Sequence, residues 1–316
     1  MKIILAVSGG VDSMLLLAQV AERAAREWWL DEVVVAQFDH GTRESARADQ
    51  ELVVRKAREL GVRCEVGRIG KGLGEGVLNE GILSEGGGFL SEAAAREARY
   101  EFLEAVARKY APAEIWTAQH LDDLVETVAI NLLRGTGWRG LAVMEREGVR
   151  RPWLEEASGE RAEQGLEGAE QGPPGRAEIW RQAGERGLVF REDPTNQEAI
   201  YLRNRVRARL ANWPRAQKLE LWRGWQRQKE LRREIDQLVA ELLPAQGAEW
   251  RRSWFWGLEP AVAGELLRAG LLRIGVRATR PQLEDFRRAI LGYAPGRKFN
   301  LPGGRLVELG RDSFIL

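Results

Sequence analysis

The chain has 316 residues, a formal net charge of +1, a single cysteine and two histidines. At ~100–200 residues per domain this length predicts two domains, and a 44% hydrophobic share excludes a disordered chain. No apolar run approaches the ~18 residues that cross a bilayer, and the lone Cys64 excludes an internal disulfide or a paired-cysteine redox site.

Residues 3–7 read as a short strand buried on both faces. They meet Ser8, Gly9, Gly10 and Asp12 too early for a signal peptide, so a cytoplasmic location is expected. A helix starts near Ser13, and residues 33–38 form the next apolar run. An amphipathic helix over 44–60 ends at Gly61, a natural C-cap, and residues 62–66 give the third strand. Residues 70–88 hold eight glycines, and such long loops are more often functional or disordered than structural. A helix over 91–110, a strand over 114–118 and a helix over 121–134 follow, the last stopping at Gly135-Thr136-Gly137. This alternation predicts an α/β fold, a parallel twisted sheet with helices on both faces. Residues 158–176 mix Gly, Glu and Gln with Pro173-Pro174 and predict a mobile linker.

Beyond residue 195 the pattern turns helical. Leu202, Val206, Leu210 and Trp213 make one apolar stripe; Leu219, Trp222, Leu231, Ile235 and Leu238 make another. The last third predicts a small α+β unit, with helices over 260–274 and 280–291 and strands near 298–301, 305–309 and 313–316.

The hexamer Ser8-Gly9-Gly10-Val11-Asp12-Ser13 follows a strand and opens a helix. Its glycines let successive N–H groups point into one concavity, and the helix N-terminus adds positive potential, so an anion fits there. It lacks both the Gly-Lys-Ser/Thr of a Walker loop and the GxGxxG of a dinucleotide site. Asp39-His40-Gly41 closes the second strand, where open parallel sheets place ligands, although an acidic helix cap would read the same. Arg96 and Arg99 share a helix face, either solvated or gripping an anion. Asp123 and Glu126 also share a face and can hold a metal or an ammonium, unless they are simply acids favoured in a first helical turn. Arg203, Arg205, Arg207 and Arg209 form two i, i+4 rows that suit a phosphate backbone. Residues 201–316 carry 23 Lys and Arg against 12 Asp and Glu, and residues 1–200 carry 25 against 35. That split predicts polyanion binding by the second part.

Together SGGVDS, DHGTR, AAREARYEFL, TAQHLDDLVETVAINLLRGTGWRGLAVM, RPWL, and EDPTN with YLRNRVR cover most of residues 1–210. In order and spacing they resemble the tRNA(Ile)-lysidine synthetase family of PP-loop, N-type ATP pyrophosphatases. Residues 296–316 are similar to that family's small C-terminal domain. Gln119 departs from it, standing where many members have His. The resemblance implies a division into a catalytic domain over 1–195, a helical tRNA-contacting region over 196–250 and an α+β domain over 251–316. It implies a ligase using ATP and Mg²⁺, with free L-lysine and the CAU-anticodon tRNA(Ile) as partners. The C2 oxygen of the wobble cytidine attacks the α-phosphate of ATP, giving an adenylated base and pyrophosphate; the lysine amine then displaces AMP.

By position in the motifs, Ser8, Gly9, Gly10, Val11, Asp12 and Ser13 hold the pyrophosphate, with Asp39 and His40 beside the nucleotide and Asp12 toward Mg²⁺. Asp123 and Glu126 are the lysine-binding acids, and Arg99 and Arg203 meet the reacting phosphate or base. Arg203, Arg205, Arg207 and Arg209 face tRNA, and His120 is the nearest general-base candidate. A tRNA thiolase would use the same loop but generally needs paired cysteines or a cluster. A non-catalytic ATP-dependent tRNA-binding protein would keep the loop and the basic half without the acidic pair. Whether the chain acts as a homodimer stays open.

Overall fold

The computed structural model describes residues 1–39, 46–68, 92–155, 172–191 and 202–316. The expectations for His40, for residues 70–88, for most of 158–176 and for Glu192 to Asn196 fall outside the described residues.

Strands β1 (Lys2–Ala6) and β2 (Val33–Asp39) are nearly all apolar because both faces of the sheet are covered. They pair in parallel with each other, β2 with β3 (Arg63–Arg68), β1 with β4 (Ala113–Trp116), and β4 with β5 (Val149–Arg150). The strand order is β3-β2-β1-β4-β5. Alternate residues divide the core. Ile3, Leu5, Val33 and Val35 pack against α1 (Val11–Arg26) and α2 (Ala46–Glu59). Ile4, Val34 and Ile115 pack against Tyr100, Leu103 and Val106 of α3 (Glu92–Lys109) on the other face. This is the expected α/β architecture.

α4 (Leu121–Leu133) follows β4, and α5 (Pro152–Glu155) follows β5. α6 (Arg176–Glu185) begins at the last residue of the segment read from sequence as a linker. α7 (Leu202–Leu210) and α8 (Arg215–Leu242) make the helical stretch.

The chain forms two compact units, Met1–Gln228 and Lys229–Leu316, so the observed division falls within α8. The second unit contains β6 (Glu249–Arg251), α9 (Pro260–Arg273), α10 (Arg280–Gly292), β7 (Arg297–Asn300), β8 (Leu306–Leu309) and β9 (Ser313–Ile315). β6 pairs antiparallel with β9, and β7 with β8. Trp250, Phe255, Phe286 and Phe314 fill its core. Buried Arg252 donates to the carbonyls of Ile290, Gly310 and Tyr293, each at 2.7 Å, so every nitrogen of its guanidinium has a partner. Among the described residues no helix is long and apolar enough to cross a membrane.

Candidate active site

The strand order reverses between β1 and β4, and ligands of open α/β sheets bind in the crevice at that point, beyond the carboxyl ends of the strands. The two motif-bearing loops leave these two strands.

The loop after β1 turns at Gly9, whose φ of +89° is accessible to glycine and strained for other residues. The Ser8 N–H donates to Ser13 Oγ at 3.1 Å, and Ser13 Oγ donates to the Gly10 carbonyl at 3.0 Å. Gly10 caps α1 without a side-chain bond, so no side chain occupies the helix's first N–H groups. The Gly9 carbonyl accepts the Arg191 N–H at 3.0 Å, and the Arg191 side chain pairs with Asp49 at 2.6 Å, bracing the loop from outside. Asp39, buried at the end of β2, pairs with Arg68 at 3.2 Å.

The loop after β4 delivers His120, which is fully buried and caps α4. Its Nδ1 accepts the Asp122 N–H at 3.2 Å, and its backbone N–H donates to Asp123 Oδ2 at 3.3 Å. A ring nitrogen that accepts carries no proton, so this hydrogen-bond pattern assigns the proton to Nε2. Nε2 lies 3.4 Å from Asp123 Oδ2 and 3.8 Å from Asp12 Oδ1. His120 Nε2 therefore lies between two carboxylates without a hydrogen bond to either. Burial pushes the Asp12 carboxyl above its ordinary pKa and Asp123 adds to this, against the pull of His120, Arg176 and Arg207. Asp123 moves the other way. Burial opposes its charge, but His120, Arg203 and Arg176 outweigh burial and hold its pKa down.

Glu126, 2% exposed, binds three guanidinium groups. Arg203 Nε donates to it at 3.0 Å, Arg207 Nε at 2.8 Å and Arg176 Nη2 at 3.2 Å. Arg203 also reaches Asp123 at 3.2 Å. The remaining acid, Asp122, accepts from the Arg176 backbone at 2.7 Å and from Lys218 at 2.6 Å, tying α4 to α6 and α8. Burial works to raise its pKa, yet Lys218 and the Arg176 N–H bring it below the ordinary value.

Thus Asp12, Asp123, Glu126 and Arg203 come together. Arg207 turns inward with Arg203, whereas Arg205 and Arg209 are exposed on the other row of α7. Arg99 stands apart from this network, on α3 beside Tyr100. Sequence reasoning missed Arg176 and Lys218. The helix-start signal Pro173-Pro174-Gly175 marked the first of them. Gly175 is needed there because a Cβ would sit 2.9 Å from Asp122 Oδ2. No group of three or more His, Cys, Asp or Glu placed to hold a metal occurs among the described residues.

Residues 1–167 match the ATP-binding family described as the PP-loop domain. The chain belongs to the PP-loop family. The tRNA(Ile)-lysidine synthase of a Thermus thermophilus strain is 38% identical over 211 residues, covering 65% of this chain and 34% of that protein. The one from Thermotoga maritima is 33% identical over 210 residues, covering 66% and 44%. The matches therefore span less than half the length of these curated relatives. A U34-tRNA thiolase from Methanococcus maripaludis, NcsA with its [4Fe-4S] cluster, is similar in fold with a TM-score of 0.54 at 17% identity, covering 73% of this chain and 72% of that one.

Proposed function

We propose that this PP-loop protein is a ligase that joins free L-lysine to C2 of the wobble cytidine of the CAU-anticodon tRNA(Ile), through an adenylated tRNA and with release of pyrophosphate and AMP. The observation that carries the reading is the meeting of Asp12 and Asp123 on one buried imidazole, at 3.8 and 3.4 Å. An ATP-phosphate loop and an ammonium-binding acid then share one centre, as a two-step transfer between nucleotide and amine requires. The similarity to tRNA(Ile)-lysidine synthases supports the substrates.

In this reading the loop N–H groups and the hydroxyls of Ser8 and Ser13 bind phosphate oxygens, with Asp39 and His40 on the nucleotide side. Asp12 Oδ1 is buried with no hydrogen-bond partner. That atom fits Mg²⁺, which takes one or two carboxylates together with substrate phosphates. When bound, Mg²⁺ neutralises charge at the phosphates. Asp123 keeps its charge and receives the lysine ammonium. Glu126 lies on the same helix face and holds Arg203 and Arg207 in place, and these cations suit the carboxylate of an amino acid or the reacting phosphate. Arg205 and Arg209 contact tRNA phosphates.

The thiolase alternative is disfavoured by Cys64, whose thiol burial and Glu65 push to about 11, leaving little thiolate at neutral pH. Incubating the chain with a CAU-anticodon tRNA(Ile) transcript, ATP and labelled lysine should place label in the tRNA, with AMP and pyrophosphate released in equal amounts. Pyrophosphate release without lysine in the tRNA would overturn the assignment.

A further inference from the structure

The two acids assigned above to the amine are already occupied by groups of the chain itself. Glu126 Oε1 accepts from Arg207 Nε at 2.8 Å and from Arg176 Nη2 at 3.2 Å. Its Oε2 accepts from Arg203 Nε at 3.0 Å and from Arg207 Nη2 at 3.3 Å. A carboxylate offers about four lone-pair sites, so Glu126 has no acceptor capacity left. Asp123 Oδ1 accepts from Arg203 Nη2 at 3.2 Å, and Oδ2 accepts the His120 N–H at 3.3 Å. A lysine ammonium brings three further donors and a positive charge.

Charge is balanced here as well. Asp12, Asp123 and Glu126 face Arg176, Arg203 and Arg207. An added ammonium would stand as an uncompensated cation beside a carboxylate that is 2% exposed, where water screens it poorly. The amine can therefore enter only if a guanidinium leaves Glu126 and an anion arrives.

The three guanidinium groups on Glu126 are not equally fixed. Arg176 is anchored at the start of α6 by its own N–H, which donates to Asp122 at 2.7 Å. Arg203 is shared between Glu126 and Asp123. Arg207 grips both oxygens of Glu126 from a helix in which only Val206 is buried among the described residues. An element with so few buried contacts shifts at low cost. Arg207 also interacts electrostatically with Asp12, in the loop that opens α1.

We propose that Arg207 is a latch on the amine site: it closes Glu126 until a nucleotide phosphate at the loop before α1 draws it away, so that phosphate binds first and the amine second. A phosphate offers the guanidinium another bidentate partner and brings the negative charge that the entering ammonium requires. The proposal rests on the ligase reading and deepens it by fixing the order of the substrates. Lysine is then admitted only when a phosphate is already in place.

The test measures lysine binding to the full chain by calorimetry at constant ionic strength. Lysine is titrated alone, with AMP, with a non-hydrolysable ATP analogue, and with an anticodon stem-loop RNA. Nucleotide should tighten lysine binding to the wild type about tenfold, and lysine should tighten nucleotide binding by the same factor, because such coupling is reciprocal. Without nucleotide, Arg207→Gln should bind lysine about tenfold tighter than wild type, and nucleotide should then add little. Loss of a merely structural side chain would weaken lysine binding instead.

Equal lysine affinity of the wild type with and without nucleotide would overturn the latch, as would unchanged or weaker binding by Arg207→Gln. Tightening by the stem-loop alone, with none by nucleotide, would overturn the trigger. If neither protein bound lysine under any condition, the ligase reading would fall and the latch with it; equal binding by both sinks the latch alone. Should Arg207→Gln not fold, Arg207→Lys decides. It keeps the charge and loses the fork, so unchanged lysine affinity without nucleotide sinks the latch, and tighter binding supports it.

Discussion

Asp12 and Asp123 face the same imidazole with opposite consequences for stability. The folded state holds the Asp12 proton more tightly than an ordinary aspartate does. Stability from this group is therefore highest in acid, falls as pH rises from the ordinary value of about 3.9 through the raised folded value, and is constant above it. Asp123 is held below its ordinary pKa, so its contribution is present above that value and is lost as pH falls through the depressed one. Asp12→Asn should accordingly melt higher than wild type at neutral pH, and Asp123→Asn lower, with both differences shrinking in acid. Melting curves between about pH 3 and pH 8 check this, and shifts of the same sign at neutral pH would contradict the paired assignment. Each aspartate was legible as a member of its motif. His120 between them was not, because only the pairing of β1 with β4 brings the two loops together.

At the scale of elements, α1 carries a buried Gln19 in an otherwise apolar face. Its Nε2 donates to Gln182 Oε1 of α6 at 2.8 Å, and its Oε1 accepts from Trp153 Nε1 of α5 at 2.8 Å. One side chain thus joins three helices, and both partners are buried. Gln19→Leu adds apolar surface yet strands two polar groups, so we expect a loss of about 1–3 kcal/mol in denaturant unfolding. An unchanged or raised stability would mean that the three groups find other partners. This network also explains which elements could be read in advance. β1, β2 and the helices around the crevice carry continuous apolar runs or caps within their own sequence. β5 has two residues and α6 begins beside two prolines, so tertiary partners define them and no periodicity could. α7 was legible as a helix, but its apolar stripe is short, and what turns Arg203 and Arg207 inward is Glu126 on a distant element.

For the whole molecule, the acidic first part and basic second part of the chain meet the same physical test as the two faces of α7. Arg203 and Arg207 are turned inward and bonded to Glu126, away from an external partner, whereas Arg205 and Arg209 are exposed. RNA affinity carried by phosphate contacts falls with salt because counterions are released, with a slope of about −0.7 to −0.9 per contact. Reversing Arg205 and Arg209 together to Glu in the full chain should then reduce the steepness of the log–log salt dependence by about 1.4–1.8, if each makes one contact. Thermal stability should hold, since neither side chain is buried. Phosphate contacts position RNA without reading sequence, so cognate and non-cognate tRNA should weaken alike. Arg207→Glu is the contrast. It sets a second carboxylate against buried Glu126 and should lower the melting temperature before any RNA is added. An unchanged salt slope in the double reversal would remove α7 from the RNA surface and leave the charge of the second part to other elements.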